Sequence, residues 1–187
     1  MLYYKQITLK DSRTCILRSA DTGDAEEVLR LLRVTHEETD YLATNPGENS
    51  PTAEDEQRFL EVTNASSKAV YIVAVLDGRI VGSAGIQQLS RREKLCHRAE
   101  FGIAVEKAAW GLGIGRALTR ACKDCAARAG YLQLELDVVA DNTAAAKLYK
   151  SEGFIEYGRN PRGFRTRSGE WQELIMMRLI PEDTEIS

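Results

Sequence analysis

Residues 110–130 constrain this chain more than any other stretch. The run WGLGIGRAL puts Gly111, Gly113 and Gly115 within five residues, three of the 14 glycines in the chain. Apolar residues then recur at Ile114, Ala117, Leu118, Ala121, Cys122, Cys125, Ala126 and Ala129. Those positions are i, i+3, i+4, i+7, i+8, i+11, i+12 and i+15, one complete face of a helix. Gly130 reads as its C-terminal cap. The glycines therefore sit between a strand-like segment and the start of a long amphipathic helix. Glycine lets a ligand approach the backbone unobstructed. A helix start offers unpaired N–H groups and partial positive charge. Together these make a cradle suited to phosphate, with Arg116 as an added cation. The plainer reading is a tight turn that packs helix on strand.

The flanking sequence supplies a sheet. Residues 2–9 and 14–18 read as two strands about a turn at residues 10–13. Asp21 reads as a helix N-cap with Asp24 three residues on, followed by Ala25, Val28, Leu29 and Leu32 on one face, which His36 continues. Residues 43–51 read as a loop. Thr52 caps a second helix, with Asp55 at the capping-box position, through about Val62. VYIVAVL, the turn Asp77-Gly78 and RIVGSAGIQQL form a hairpin. Within it, Gly82 and Gly85 mark a bulge or a close backbone approach. A strand over about 95–105 precedes the glycine loop. LQLELDVV follows the long helix, then a short helix from Asn142 to Glu152 closed by Gly153. FIEYGR, an Arg-rich loop at 159–167 and the strand EWQELIMMRLI complete the chain. The order is β-β-α-α-β-β-β-α-β-α-β-β. It predicts one α/β (α+β) domain over 1–187, a mixed central sheet of about seven strands flanked by about four helices. Residues 1–13 form an N-terminal strand extension and 181–187 a short tail.

The phosphate ligand is narrowed by what the loop lacks. A Walker loop needs Gly-Lys-Ser/Thr, which is absent here. A dinucleotide fingerprint needs G-x-G-x-x-G directly after the strand. Here position 116 is Arg, and residues 106–110 intervene, although Glu135 and Asp137 lie about 20 residues on. The motif DNTAAAKLYKSEGF remains to be explained. Asn142 and Tyr149 share a helix face about 10 Å apart along the axis. The small Ala145 and Ala146 lie between them, so a long thin ligand fits that face.

At this point the sequence resembles the GNAT superfamily of acyl-CoA-dependent N-acetyltransferases, over about residues 14–180. The family loop pattern Gln/Arg-x-x-Gly-x-Gly/Ala aligns with Trp110, Gly111, Leu112, Gly113, Ile114 and Gly115. Its later pattern aligns with Leu134-x-Leu136-x-Val138, Asn142, Leu148-Tyr149 and Gly153-Phe154. The resemblance implies acetyl-CoA as co-substrate, no metal, and direct acetyl transfer to a primary amine of a small molecule or protein. It implies that Ile103 and Val105 offer backbone groups to pantetheine. The loop residues Gly111, Leu112, Gly113, Ile114, Gly115 and Arg116 take the diphosphate, Asn142 holds the pantetheine arm, and Tyr149 sits by the sulfur. Trp110 departs from the pattern, standing where Arg or Gln is usual.

An amine of pKa near 10 needs a base to take its proton. Glu100 is the first candidate, a carboxylate expected in a partly apolar cleft. A salt bridge with Arg98 is its plainer role, and Glu135 and Asp137 are alternatives. A backbone N–H near Val105 is placed to stabilise charge on the thioester oxygen. Tyr149, with an ordinary phenol pKa, donates a proton to the departing thiolate at little cost. Two other readings share the sequence: a coenzyme-A-binding regulatory module without turnover, and a nicotinamide oxidoreductase.

The acceptor is read from charge. Residues 36–61 hold Glu37, Glu38, Asp40, Glu48, Glu54, Asp55, Glu56 and Glu61 against Arg58, which suits a cationic amine or a solvated helix face. Arg159, Arg162, Arg165 and Arg167 suit an acidic acceptor or the phosphates of coenzyme A. A net charge of −3 argues against nonspecific nucleic-acid binding. The longest clear apolar run, residues 69–76, is too short for a bilayer. The N-terminus carries no signal-peptide core and the C-terminus no prenylation motif, so a cytoplasmic protein is expected. Cys122 and Cys125 form a C-x-x-C inside the helical stripe, where core packing is the simpler reading. Cys15 and Cys96 stand alone on strand-like segments, and a covalent route through Cys96 has no support. The apolar last strand is internal to this sheet or to one shared by a homodimer.

Overall fold

The computed structural model describes residues 1–48 and 51–181. One eight-stranded mixed sheet runs in the order β1-β2-β3-β4-β5-β6-β8-β7. Its strands are β1 (Tyr4–Thr8), β2 (Thr14–Ser19), β3 (Val70–Leu76), β4 (Arg79–Gln88), β5 (Arg98–Val105), β6 (Gln133–Val139), β7 (Ile155–Arg165) and β8 (Trp171–Leu179). The helices are α1 (Ala25–Glu38), α2 (Ala53–Ala65), α3 (Ile114–Arg128) and α4 (Thr143–Ser151). The element order is the one read from sequence. The strand number is eight rather than about seven, because the N-terminal extension pairs in register with β2, from Tyr4 with Arg18 to Thr8 with Thr14. The tail beyond residue 181 lies outside the described residues.

Local chemistry accounts for most of the boundaries. Asp21 and Asp24 close a capping box around a 3₁₀ turn that leads into α1. Thr52 and Asp55 close another ahead of α2. Each satisfies backbone donors that a helix start leaves orphaned. Asp77 and Gly78 both have positive φ, 53° and 79°, as the tight β3–β4 hairpin demands. Gly130 and Gly153 end α3 and α4 at φ of 73° and 93°.

Helices cover both faces of the sheet. The stripe of α3 (Ile114, Leu118, Ala121, Cys122, Cys125) packs with Ile72, Ala84, Phe101 and Leu134 into the main core. α1 and α2 bury Val28, Leu31 and Leu60 against Val73 and Ile80 on the other face. All four cysteines are free thiols. Burial pushes the thiols of Cys122 and Cys125 up and that of Cys15 up to about 11, so these three are packing groups. Cys96 lies in the turn before β5, not on a strand, and β5 begins at Arg98 rather than near residue 95.

The Arg-rich stretch is a strand as far as Arg165, not a loop. Pro161 is tolerated because β7 is an edge strand and because pairing with β8 slips between Asn160 and Phe164. Gly163 is required at that slip, since a Cβ there would lie 2.3 Å from Leu174 Cγ. β8 lies between β6 and β7, internal to this chain's own sheet. No helix of the described residues is long and apolar enough to cross a membrane.

Candidate active site

The sheet opens at β5 and β6. These two strands, the parallel neighbours, pair only from Arg98 with Gln133 to Glu100 with Glu135. Both then run on without pairing with each other, β5 to Val105 along β4 and β6 to Val139 along β8. The Glu106 N–H donates to Val81 of β4 at 2.9 Å. By strand alternation, the backbones of Gly102 and Ala104 also face β4, while those of Phe101, Ile103 and Val105 face the opening. Ile103 and Val105 thus present main-chain groups to the gap. One of those groups is taken: the Trp110 indole N–H donates to the Val105 carbonyl at 2.7 Å. Trp110 is about half exposed (47%) and closes the end of the gap.

The glycine loop lies at that end. Gly111 and Gly113 have φ of 77° and 101°, and an added Cβ at either would meet nothing within 4 Å. Glycine is there for its left-handed backbone and for an open surface. Gly113 caps α3 without a side chain. The first amide of the helix to reach a carbonyl is Ala117, to Gly113 at 3.1 Å, so the amides of Ile114, Gly115 and Arg116 have no intrahelical partner. A Cβ at Gly115 would touch Leu148 of α4 at 3.5 Å.

Three charged contacts anchor the segment leading into the loop. Glu106, 3% exposed, takes Arg30 at 2.5 Å and Arg79 at 3.1 Å. The Lys107 N–H donates to Glu38 at 2.6 Å. Their partners are 27 to 76 residues distant along the chain, so no local pattern announced them. Arg116, expected as a free cation, is engaged: its Nε lies 3.2 Å from Glu152 and it donates to Ser151 at 3.0 Å. Arg120 reaches the same buried carboxylate at 2.9 Å.

α4 forms the other wall. The Asn142 side-chain oxygen caps the helix, accepting from the Ala145 N–H at 3.2 Å. Its amide N–H groups have no partner among the described residues. Tyr149 is 6% exposed and lies between Phe101 and Phe154, with ring centres 6.0 and 5.8 Å away. No described residue hydrogen-bonds its hydroxyl. Burial pushes this phenol well above its ordinary value, so giving up its proton costs more than an ordinary phenol would imply. Tyr149 is suited to donate a hydrogen bond to a developing thiolate.

The opposite face of β5 carries the carboxylates. Glu100 is exposed, not desolvated in an apolar cleft, and accepts from Gln87 at 3.3 Å. Arg98 does not pair with it. It pairs instead with Glu135, donating from Nη2 at 2.6 Å, and this holds the Glu135 carboxyl below its usual value. Glu135 is thus held as an ion-pair partner of Arg98. Asp137, two residues along β6, is pushed up by burial and then by the negative Glu100 and Glu135.

Glu100 also borders a cavity of about 400 Å³ roofed by α1, α2 and residues 42–44. Gly85 and Gly102 form its floor, and Phe59, Tyr71 and His36 its walls. A Cβ on Gly85 would lie 2.9 Å from the Val70 carbonyl, so this glycine is a close-approach position. Tyr71 donates to Ser83 at 2.9 Å and meets Phe59 edge-on at 5.6 Å. The His36 Nδ1 hydrogen-bonds the Leu32 carbonyl and its Nε2 lies 2.6 Å from the Thr44 hydroxyl, which ties down the roof. None of the eight acids of residues 36–61 lines the cavity. A shallow hollow of about 710 Å³ beside Glu54 and Glu61 shares no residue with it or with the gap.

Tyr149 and Glu100 therefore sit on opposite faces of β5, with the gap between them and the glycine loop at its end. The acetyltransferase (GNAT) family model matches residues 31–154. N-alpha-acetyltransferase RimI of Mycobacterium tuberculosis is 39% identical over 106 residues, which cover 57% of this chain and 65% of that protein. L-amino acid N-acetyltransferase AaaT of Escherichia coli is 33% identical over 107 residues, with the same shares. The matched part spans just under two thirds of the length of these two relatives. The crystal structure of a GNAT-family acetyltransferase from Streptococcus pneumoniae superposes with a TM-score of 0.85 at 27% identity, over 89% of this chain and 99% of that one. By the match over residues 31–154, well over half of its length, this chain belongs to the GNAT acetyltransferase family.

Proposed function

We propose that the chain transfers the acetyl group of acetyl-CoA directly to a primary amine. The observation that carries this reading is the β5–β6 opening, with main-chain groups of Ile103 and the Val105 N–H facing it and free helix-start amides at residues 114–116. Acetyl-CoA supplies the activated thioester. Ile103 and the Val105 N–H hold the pantetheine arm along the open edge, Asn142 donates to it from α4, and the loop 111–116 cradles the diphosphate. The Val105 N–H also meets the negative charge that develops on the thioester oxygen. Glu100 takes the amine proton on the cavity side, directly or through water. Tyr149 donates a hydrogen bond to the sulfur on the α4 side. The amine and the leaving group thus approach from opposite faces of one strand. The names of the two relatives, an N-alpha and an L-amino acid acetyltransferase, favour an α-amine as acceptor.

Asp137 is a second candidate for the base, because its affinity for protons is raised and it lies on the far side of the gap from Glu100. Thermal shift with acetyl-CoA, coenzyme A and NAD tests the site, and thiol release over an amine panel tests turnover. Stabilisation by acetyl-CoA with amine-dependent thiol release is expected. Binding without release across the panel would leave a regulatory module, and protection by NAD alone would point to an oxidoreductase. Tyr149→Phe should lower turnover more than acetyl-CoA affinity.

A further inference from the structure

The cations that follow α4 have no part in the mechanism above. Arg159 is neutralised by Glu156 at 2.6 Å and Glu173 at 3.0 Å. Arg162, Arg165 and Arg167 are exposed; Arg162 and Arg165 form no ion pair with a carboxylate of the described residues, while Arg167 lies near Glu48 and helps hold its carboxyl low. Arg162 and Arg165 instead hold their guanidinium carbons 5.4 and 5.5 Å from the ring centre of Trp171, which is itself 51% exposed. Arg165 pairs directly across from Trp171, and the slip between Asn160 and Phe164 carries Arg162 to the same ring. The Arg162 N–H is fixed on the Asn160 side chain at 3.1 Å.

This hairpin abuts the acceptor cavity. Arg167 donates to the Pro46 carbonyl at 2.5 Å, and Gln172 to the Asp40 carbonyl at 3.2 Å. Those two carbonyls bracket residues 42–44, which wall the cavity. The cavity has no Arg or Lys in its lining. A free amino acid carries its carboxylate two bonds from the amine, where this cavity offers it no cation. The cations lie on the hairpin that holds the outer side of residues 42–44.

We infer that the acceptor is a polypeptide with acidic residues close behind its amino terminus: the α-amine enters the cavity, and the acidic segment docks on Arg162, Arg165, Arg167 and Trp171. This rests on the acetyltransferase reading. Guanidinium forks bind carboxylates in pairs, and the exposed indole offers an apolar platform beside them. Screening at physiological salt acts over about 8 Å, so the contact is salt-sensitive.

The test uses two short synthetic peptides with a free N-terminal alanine and a C-terminal fluorophore. One carries glutamates from its third residue and the other glutamines in their place. Fluorescence anisotropy with coenzyme A present should show the acidic peptide binding at least tenfold more tightly at low salt. Arg162→Gln with Arg165→Gln should abolish that preference and lower kcat/KM for the acidic peptide tenfold, with acetyl-CoA affinity unchanged. Should the pair fail to fold, Trp171→Ala is read in its place, with the same loss of preference expected. Equal affinity for the two peptides, or a preference that survives the substitutions, would overturn the inference. So would a free amino acid turning over faster than the acidic peptide. If acetyl-CoA itself does not bind, the acetyltransferase reading falls, while the anisotropy result stands by itself.

Discussion

Replacing Gly102 with valine separates the cavity beside Glu100, the proposed entry of the amine, from everything else in the molecule. Gly102 is exposed on β5, its side-chain position faces the cavity, and an added Cβ would meet nothing within 4 Å. Its φ is not in the left-handed region, so valine faces neither strain nor clash. Removing a strand glycine should stabilise the fold by roughly 0.5–1 kcal/mol. For a domain of this size that raises Tm by about 1–4 °C. The new isopropyl group projects into a cavity of about 400 Å³ and removes the flat floor between Glu100 and Ala104. Misfit by a single methylene changes kcat/KM by roughly 10–200-fold, so a loss of at least tenfold is expected for any amine that reaches the floor. The acetyl-CoA Kd, measured by calorimetry, should stay within about twofold, since the backbone of residue 102 faces β4 and not the gap. The signature is a protein that is more stable, binds its co-substrate normally and works poorly. A Gly102→Val variant with wild-type kcat/KM for every amine would show that the amine enters elsewhere.

The glycine loop should respond in the opposite way. Gly113→Ala forces a side chain into φ of 101°, at a cost of about 1–3 kcal/mol, and should weaken acetyl-CoA affinity together with Tm; unchanged affinity in a folded variant would remove the cradle from the reading. Glu100→Gln should lower kcat/KM by about 10²-fold or more and Asp137→Asn by less than tenfold, the contribution of a general base being roughly 10²–10⁴. The reverse ranking would hand the base role to Asp137. The Arg98–Glu135 pair should appear in acid unfolding. Its carboxyl is held low in the folded protein, so its stabilisation is complete above the ordinary Glu range, about pH 4.3, and is lost as pH falls through the lowered value. Between pH 7 and 3, Glu135→Gln should therefore lose less Tm than the parent, and parallel curves would refute that assignment.

What the sequence disclosed was local. Both capping boxes, the Asp77-Gly78 hairpin and the α3 stripe depend on residues at most a few positions apart, and each is found as read. The Arg-rich strand was misread for a physical reason. Pro161 and Gly163 argue for a loop unless the strand lies at an edge and slips against its neighbour, and neither condition is visible without β8 in place. The cavity was invisible because α1, α2, β3, β4 and β5 each contribute only a part of its wall. The glycines of its floor did leave a trace: Gly85 was legible as a close-approach position, while Gly102, without a crowding partner, left no sign. The charge pattern of residues 36–61 suited a cationic amine or a solvated helix face, and none of these eight acids lines the cavity. Asp55 serves as a cap on Thr52 and Glu38 as an anchor on Lys107.

The opening of the sheet is itself an energetic problem, and the rest of the site is its solution. Beyond Glu100 and Glu135 two strands run on with backbone N–H and C=O groups that no strand satisfies. Buried peptide groups left without partners cost about 1–3 kcal/mol each, so a gap of this kind would close unless it were held apart and its edges were wet or capped. Both are visible. The Arg98–Glu135 pair spans the paired segment of the two strands from its first rung to its last, and Glu106 with Arg30 and Arg79 fixes the far end of β5. Trp110 satisfies the Val105 carbonyl from its own loop. The residue that departs from the family pattern thus takes over a hydrogen bond that would otherwise await the ligand, leaving the Val105 N–H and the Ile103 edge as the groups whose satisfaction depends on what enters. Trp110→Phe keeps an aromatic ring and removes the indole N–H donor. It should weaken acetyl-CoA affinity less than tenfold and lower Tm, by about 2–4 °C for each kcal/mol lost. If acetyl-CoA binding collapsed instead, the indole would be a ligand group rather than a cap on the strand.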